Sequence, residues 1–205
     1  MKSLKTLFLL LIGIGTATAF TPPEKPATTY TVDAEQSTVR WTGKKVTGQH
    51  NGVIDIQNGM LEVEDNQLSG GQFVIDMQSL NNQDLEGEDK AKLEGHLKSD
   101  DFFGVESHPT AQLVITQVTP LENNQYTITG DLTIKDATHP VEFPATVDLQ
   151  DGQLSAEATI TVDRSKYDVR YGSSSFFDNL GDKVIYDDFD IAVSLVATNE
   201  ASASK

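Results

Sequence analysis

The chain has 205 residues, with 31 Asp and Glu against 15 Lys and Arg, a formal net charge of −16 and no cysteine. A surface this acidic repels nucleic acid and anionic lipid headgroups, which excludes nucleic-acid binding and stable insertion into an anionic membrane. Without cysteine the chain has no disulfide and no thiol for lipid attachment, so its stability depends on the hydrophobic core. Its length predicts one domain of ordinary size.

The first nineteen residues have the layout of a cleaved secretory signal. Lys2 and Lys5 precede an apolar run over 7–14, and the small residues Ala17-Thr18-Ala19 follow. That run is shorter than the roughly 20 residues of a membrane span. We therefore predict a signal peptide over 1–19, a linker over 20–28 and a soluble mature protein in the periplasm or outside the cell. An uncleaved N-terminal anchor is the alternative.

Residues 29–198 show the period-two alternation of β-strands, and 199–205 form a polar tail. The alternating positions include Phe73, Ile75 and Met77, then Leu113 and Ile115, Leu132 and Ile134, residues 156–162, and Ile191, Val193 and Leu195. Turn sequences separate these runs at Asn58-Gly59, Glu64-Asp65-Asn66, Glu122-Asn123-Asn124 and Asp151-Gly152. Short turns between alternating runs indicate hairpins, and so an antiparallel sheet.

One segment, residues 83–99, differs from this pattern. It is rich in Glu, Lys and Leu and places Leu93 and Leu97 four residues apart, which predicts a short amphipathic helix. One helix among about eight or nine strands favours a barrel with a helical insertion over an immunoglobulin-type sandwich. The pattern alone leaves both architectures open.

The sequence contains no arrangement typical of a catalytic or metal site. Gly172-Ser173-Ser174-Ser175-Phe176 lacks the second glycine of a nucleophile elbow. The four histidines, His50, His96, His108 and His139, lie at none of the spacings of metal-binding helices or zinc fingers. The acidic runs lack the calcium-loop pattern, and no phosphate loop follows a strand. We therefore predict no catalytic residues, metal or cofactor, and a function that depends on the apolar interior.

Several short motifs occur in a fixed order between Tyr30 and Val196. They are Tyr30-Thr31-Val32-Asp33, Ser37-Thr38-Val39-Arg40-Trp41, Gly48-Gln49-His50-Asn51-Gly52, residues 93–103, His108-Pro109-Thr110-Ala111, residues 130–135, residues 138–143, Asp163-Arg164-Ser165-Lys166-Tyr167 and residues 171–177. In this order they resemble the YceI-like family, which comprises periplasmic or secreted lipocalin-like barrels associated with polyisoprenoid and related lipid binding.

The resemblance implies an all-β fold: an elongated antiparallel barrel of about eight strands around a tunnel-like cavity. The implied ligand is one long-chain apolar lipid, of the polyisoprenoid, isoprenoid-quinone or fatty-amide type, held for transport, storage or stress protection. A lipid-directed enzyme that uses the same cavity and a ligand-free structural barrel are the alternatives. A homodimer stays open.

Candidates for the cavity lining are large apolar side chains of the predicted strands and motifs: Trp41, Val46, Phe73, Ile75, Phe102, Phe103, Leu113, Ile115, Leu132, Ile134, Phe143, Tyr167, Phe176 and Phe177. Phe102 and Phe103 are expected to plug one barrel end or to line the ligand's path. A one-residue slip in register exchanges the two faces of a strand, so the alternation does not fix which face points inward. The basic residues available for a polar headgroup are Lys44, Lys45, Arg164, Lys166 and Arg170, of which Arg164 is expected to pair with a carboxylate.

Overall fold

The computed structural model describes residues 27–199, so the predicted signal peptide, most of the predicted linker and residues 200–205 of the tail lie outside the described residues. Within that range the strands are β1 (Thr28–Val32), β2 (Thr38–Lys45), β3 (Gly48–Glu64), β4 (Gln67–Asn82), β5 (Thr110–Pro120), β6 (Gln125–Ile134), β7 (Ala137–Gln150), β8 (Gln153–Asp163) and β9 (Ile185–Thr198). The helix α1 spans Gly87–Lys98, and two short 3-10 helices span Arg164–Tyr167 and Gly181–Lys183.

Strands β2 to β9 form a closed antiparallel barrel of eight strands. Each strand pairs with its neighbour in sequence, and β9 returns to pair with β2. Closure leaves no free edge in the ring, which is how an up-and-down barrel avoids edge-to-edge association. The structure thus confirms the predicted lipocalin-like barrel with one helical insertion, and the sandwich alternative is wrong.

Strand β1 occupies the same gap between β3 and β9 as β2, further along the barrel. Thr28 to Thr31 pair with the end of β3, from Val63 to Met60, and Val32 pairs with Ala197 of β9. The intervening turn is stabilised by Asp33, whose carboxylate accepts hydrogen bonds from the backbone of Glu35 and Gln36. β1 and β2 therefore act as one long strand with an interruption.

The connections differ between the two ends of the barrel. At one end the β3–β4, β5–β6 and β7–β8 hairpins close in tight turns, where Asn66, Asn124 and Asp151 take positive φ angles of 63°, 59° and 51°. Asn and Asp tolerate this left-handed conformation better than other residues with a Cβ, which is why these predicted turns are confirmed. At the other end lie the two long connections, β4–β5 with α1 and β8–β9 with both 3-10 helices.

The turn predicted at Asn58-Gly59 is wrong, because both residues lie within β3. Asn58 pairs with Val74 and Gly59 with Phe73, beside a register shift between Ile56 and Asn58. A Cβ on Gly59 would lie 2.8 Å from the Phe73 ring. The glycine thus permits close packing of an aromatic side chain in a bulged strand, a role that glycine takes in sheets as well as in turns.

The helix begins four residues later than predicted. Before it, the Asn82 side chain accepts a hydrogen bond from the backbone of Leu85, which holds this segment in a turn. Glu94 of α1 accepts a hydrogen bond from the Asn82 backbone at 2.7 Å and so fixes the helix to the end of β4. No residue of α1 is fully buried. The helix covers the barrel end rather than forming part of the core.

Inward positions alternate with exposed ones along the strands. In β6, Tyr126, Ile128, Leu132 and Ile134 are buried on one face. In β8 the buried face carries Leu154, Ala156, Ile160 and Val162. Each fully buried Leu, Ile or Val stabilises the fold by about 1.5–3 kcal/mol relative to exposure. The core is therefore the interior of the barrel itself.

Candidate ligand-binding cavity

A cavity of about 400 Å³ lies inside the barrel, lined by residues from every strand of the closed ring and from α1. Its wall is almost wholly apolar. The deeper part is bordered by Leu61 and Leu68, both buried. Towards the end that carries the long connections, the lining includes Lys44, Lys45 and Tyr171, which are exposed to solvent. The cavity therefore has a deep apolar part and a polar rim.

Small side chains make room for this cavity. Ala145 of β7 pairs directly with Ala158 of β8, and Ala156 faces the same space. Opposite them, Phe73 and Leu113 are only partly buried although they face inward, because their residual surface borders the cavity. A closed barrel of eight strands either fills itself with side chains or holds one small ligand. Alanines on two adjacent strands favour the second arrangement.

Aromatic rings from the β4–β5 connection cover one side of the cavity mouth. Phe102 and Phe103 contact each other edge to face at 5.2 Å between ring centroids. Phe103 also contacts Phe189 of β9 at 6.3 Å, and His96 of α1 contacts Phe102 at 5.7 Å. Edge-to-face pairs are favourable arrangements of aromatic rings and hold this cover as a unit. Phe102 and Phe103 thus lie at one end of the barrel, as predicted.

Arg164 lies beneath this cover and is 2% exposed. Its guanidinium donates hydrogen bonds to the backbone carbonyls of Val169 at 2.7 Å, Ile185 at 3.0 Å and Tyr186 at 3.1 Å. It also lies 3.3 Å from the Asp187 carboxylate and 5.3 Å from the centre of the Phe102 ring. Burial lowers the pKa of Arg164, while nearby carboxylates oppose that change. The residue ties the long β8–β9 connection to the cavity rim.

Two further side-chain pairs connect the elements of the rim. Lys44 donates to Asp190 at 2.9 Å, and this hydrogen bond lowers the pKa of Asp190. His50 lies 2.8 Å from Asp84. Partial burial alone would raise the pKa of Asp84, but hydrogen bonds from the Asn51 backbone, His50 and Asn82 outweigh it and lower the pKa. These contacts connect β2 with β9 and β3 with the start of the helical connection.

The structure brings ten of the fourteen predicted lining residues together on the cavity wall. They are Trp41, Phe73, Ile75, Phe102, Phe103, Leu113, Ile115, Leu132, Ile134 and Phe143. Whether they contact a ligand stays a prediction. The ten lie on the inward face of a strand or in the aromatic cover.

The other four lie away from the cavity. Val46 is in the β2–β3 turn and is 47% exposed. Phe176 and Phe177 belong to the β8–β9 connection, outside the barrel, and are 40% and 49% exposed. Tyr167 is buried, but in a 3-10 helix with its ring edge to face with His139, and burial raises its pKa to about 12. Hydrophobicity without strand geometry therefore does not predict which side chains of turns and connections line the cavity.

The cavity wall also contains residues that are not among the predicted lining candidates. Ile191, Val193 and Leu195 form an alternating run in the sequence, and all three face the cavity. His96 and Tyr171, whose ring centroids lie 4.2 Å apart, also line it. The alternation of β9 would have identified the first three. No local pattern in the sequence predicts the contact between α1 and the segment that joins β8 to β9.

Within residues 27–199, no three His, Asp or Glu side chains are grouped closely enough to hold a metal ion. In the same range, no helix is long and apolar enough to cross a bilayer. The polar side chains Lys44, His50 and Arg164 at the rim are instead engaged in the pairs described above. The described residues form a ring of strands around an apolar space.

The fold and the cavity define a lipocalin-like barrel with an internal apolar site. The YceI-like domain matches residues 30–197, and the chain belongs to the YceI-like family. Two UPF0312 proteins resemble it over shorter segments: one of Photorhabdus laumondii is 41% identical over 51 residues and one of Shewanella denitrificans is 40% identical over 55 residues. These segments cover 25% and 27% of this chain, and only 26% and 29% of the relatives.

Solved structures have the same fold. BcnA of Burkholderia cenocepacia superimposes with a TM-score of 0.66 at 23% identity, over 82% of this chain and 99% of that chain. A polyisoprenoid-binding domain of Saccharophagus degradans gives 0.57 at 14% identity, over 85% and 99%. A YceI protein of Campylobacter jejuni gives 0.54 at 15% identity, over 96% and 99%. At these identities the likeness extends to the fold.

Proposed function

We propose that this chain is an exported protein that holds one long-chain apolar lipid in the barrel cavity, for transport, storage or stress protection. The observation that carries the proposal is the apolar cavity of about 400 Å³, a size within the usual range of small-molecule sites. The description of the Saccharophagus degradans domain as polyisoprenoid-binding supports a ligand of isoprenoid type. Isoprenoid quinones and fatty amides offer the same kind of tail.

The shape and chemistry of the wall suit a tail rather than a compact polar molecule. Burial of each methylene contributes about 0.8 kcal/mol, so ten methylenes contribute about 8 kcal/mol before the cost of ordering the chain. A buried polar group would instead need a hydrogen-bond partner, and the deep part offers Leu61, Leu68 and Ile128. Affinity thus comes mainly from tail length.

We infer binding rather than catalysis. Lys44, His50 and Arg164 at the rim are already engaged with Asp190, Asp84 and Asp187. Within residues 27–199, His96 forms no pair with a carboxylate that would orient it as a base. The three rim pairs hold strands and connections in place, and a general base needs free access to a substrate proton. The alternative of a barrel filled by its own side chains is disfavoured by the facing alanines, Ala145 and Ala158.

Export is proposed from the first nineteen residues, which have a basic start, an apolar run and small residues before the expected cleavage site. A lipid carrier without disulfides is compatible with the periplasm or the exterior, because its stability rests on the barrel core. A lipid held inside the barrel, with its tail away from water, can cross an aqueous compartment.

The experiment is purification of the mature protein under native conditions, followed by extraction and mass spectrometry of bound lipid. We expect about one long-chain lipid per chain. Phe103→Ser should reduce retention, on the order of tenfold in affinity, because it removes one aromatic side chain from the cavity cover. Phe177→Ser is the matched control, since Phe177 is 49% exposed and lies off the cavity.

Wild-type protein that carries no lipid and takes up none of an added polyprenol would contradict the proposal. Equal retention by Phe103→Ser and Phe177→Ser would show that the lipid binds elsewhere. Chemical conversion of the bound lipid over time would instead support the enzyme alternative.

A further inference from the structure

The charged side chains that line the cavity are all basic. They are Lys44, Lys45 and Arg164, and two histidines, His50 and His96, line the same space. Among residues 27–199, no Asp or Glu belongs to the lining, although the chain has 31 of them. In a protein with a net charge of −16, a lining whose charged side chains are all basic differs from the surface as a whole, although carboxylates behind the lining pair with some of them.

Part of this basic set already has partners. Lys44 is paired with Asp190, His50 with Asp84, and Arg164 with three backbone carbonyls and Asp187. In contrast, Lys45 and the ring nitrogens of His96 make no hydrogen bond or ion pair within residues 27–199, and the same holds for the Tyr171 and Tyr186 hydroxyls. Four hydrogen-bonding groups at the rim are therefore available to a ligand.

These groups belong to one contiguous part of the rim. Lys45 pairs in register with Ile185 at the start of β9, and Tyr186 follows directly. The Ile185 backbone donates to the Gly172 carbonyl at 2.9 Å, which places Tyr171 beside this strand. The rings of Tyr171 and His96 then meet at 4.2 Å. The contacts run without interruption from β2 to α1.

Lys45 also continues the inward face of its strand. Residues two apart share a face, and Val39, Trp41 and Gly43 precede it on the side that lines the cavity. Lys44 starts from the opposite face of β2 and borders the cavity only at the rim, where its partner Asp190 also accepts a hydrogen bond from Thr161. The free ammonium group is thus at the mouth end of the inner face of β2.

The acidic groups nearby do not cancel this charge. Asp84, Asp187 and Asp190 each already face a basic partner. Asp163 also acts on Arg164, and at physiological ionic strength charges beyond about 8 Å are largely screened. A headgroup at the rim therefore senses mainly Lys45 and its neighbours.

We propose that the ligand carries an anionic oxygen headgroup, a phosphate or a carboxylate, that binds at the rim between Lys45, His96 and Tyr171 while its tail lies in the barrel. This inference rests on the proposed function, which supplies the tail. Charge-assisted hydrogen bonds from an ammonium group to such oxygens are stronger than bonds between neutral groups. The tyrosine hydroxyls add donors that suit the same oxygens.

The test uses four probes with one tail: geranylgeraniol, geranylgeranyl monophosphate, geranylgeranoic acid and geranylgeranylamine. Trp41 is the single tryptophan of the chain and lines the cavity, so its fluorescence reports binding directly. We expect at least one of the two anions to bind about tenfold more tightly than the alcohol, and the amine to bind most weakly. The larger of the two anion preferences identifies the headgroup as phosphate or carboxylate.

Lys45→Gln should lower the affinity for the preferred anion to near that of the alcohol and so remove the roughly tenfold preference. Lys92→Gln is the matched control, because Lys92 lies on α1 away from the cavity with its side chain 71% exposed. Equal affinities for all four probes, or equal effects of the two substitutions, would overturn the headgroup inference while lipid binding stands. Failure of every probe to bind would overturn the proposed function itself.

Discussion

Arg164 is a buried arginine with several carbonyl partners. Its contribution to stability depends on the geometry of its guanidinium group as well as on its charge. Its planar guanidinium reaches the carbonyls of Val169, Ile185 and Tyr186 at once, which a single ammonium group cannot do. These carbonyls belong to the segment that closes the barrel after β8. Removing the guanidinium group would leave these buried acceptors without donors. Each uncompensated group would lower the free energy of unfolding by about 1–3 kcal/mol.

We therefore predict that Arg164→Lys lowers the free energy of unfolding by about 2–3 kcal/mol, since the lysine replaces only part of the hydrogen bonds. Urea denaturation at neutral pH measures the change. The control is Arg170→Lys, six residues later, where the side chain is 58% exposed and pairs with Asp168 at the surface. That control should change stability by less than about 0.5 kcal/mol, and an equal loss in both variants would contradict the role given to Arg164.

At the scale of elements, the inner face of β8 determines how much space the barrel holds. Ala156 and Ala158 face inward, while Glu157 and Thr159, which alternate with them, are exposed. Larger residues at the alanine positions would meet Phe73, Leu113 and their neighbours across the barrel. The cavity thus depends on two methyl groups where a self-filled barrel would carry larger side chains.

Ala158→Phe should fill this space and abolish binding of geranylgeraniol, with a moderate effect on stability. Overpacking of a core costs about 1–3 kcal/mol, and free space in the cavity reduces that cost here. Trp41 fluorescence titration measures binding and thermal unfolding measures stability. Thr159→Phe places the same ring on the outer face of the same strand and should bind like the wild type. Unchanged affinity in Ala158→Phe would locate the ligand outside the barrel.

Sequence reasoning identified the strands because alternation is a local signal, and the large apolar positions that it singled out in β4, β5 and β6 line the cavity. Alternation does not predict the direction of side chains outside the strands. Phe176 and Phe177 are as hydrophobic as Phe102 and Phe103, but they lie in an irregular connection and are 40% and 49% exposed. Side-chain direction in such a connection depends on distant contacts such as Arg170 over the Phe176 ring at 5.0 Å. No local pattern encodes that direction.

At the scale of the whole molecule, the short turns between alternating runs predict antiparallel strands, but closure of the barrel requires the pairing of β9 with β2. These strands are more than 140 residues apart, as the Lys44–Asp190 pair shows. A single sequence carries no local signal for such a partner. The barrel was predicted from the resemblance of the motifs to the YceI-like family. The pairing of β9 with β2 closes the barrel and so forms both the rim and the cavity.

Because the cavity is part of the core, ligand binding should stabilise the entire barrel. A ligand that binds only the folded state at a free concentration of 100 times its Kd stabilises it by about 2.7 kcal/mol. For a domain of this size each kcal/mol raises the Tm by about 2–4 °C, so delipidated protein should gain about 5–10 °C when geranylgeraniol is restored. Calorimetry of the native, delipidated and reloaded forms measures this shift. Ala158→Phe, whose cavity is filled, should show no shift, and a wild type whose Tm ignores the ligand would contradict a site inside the core.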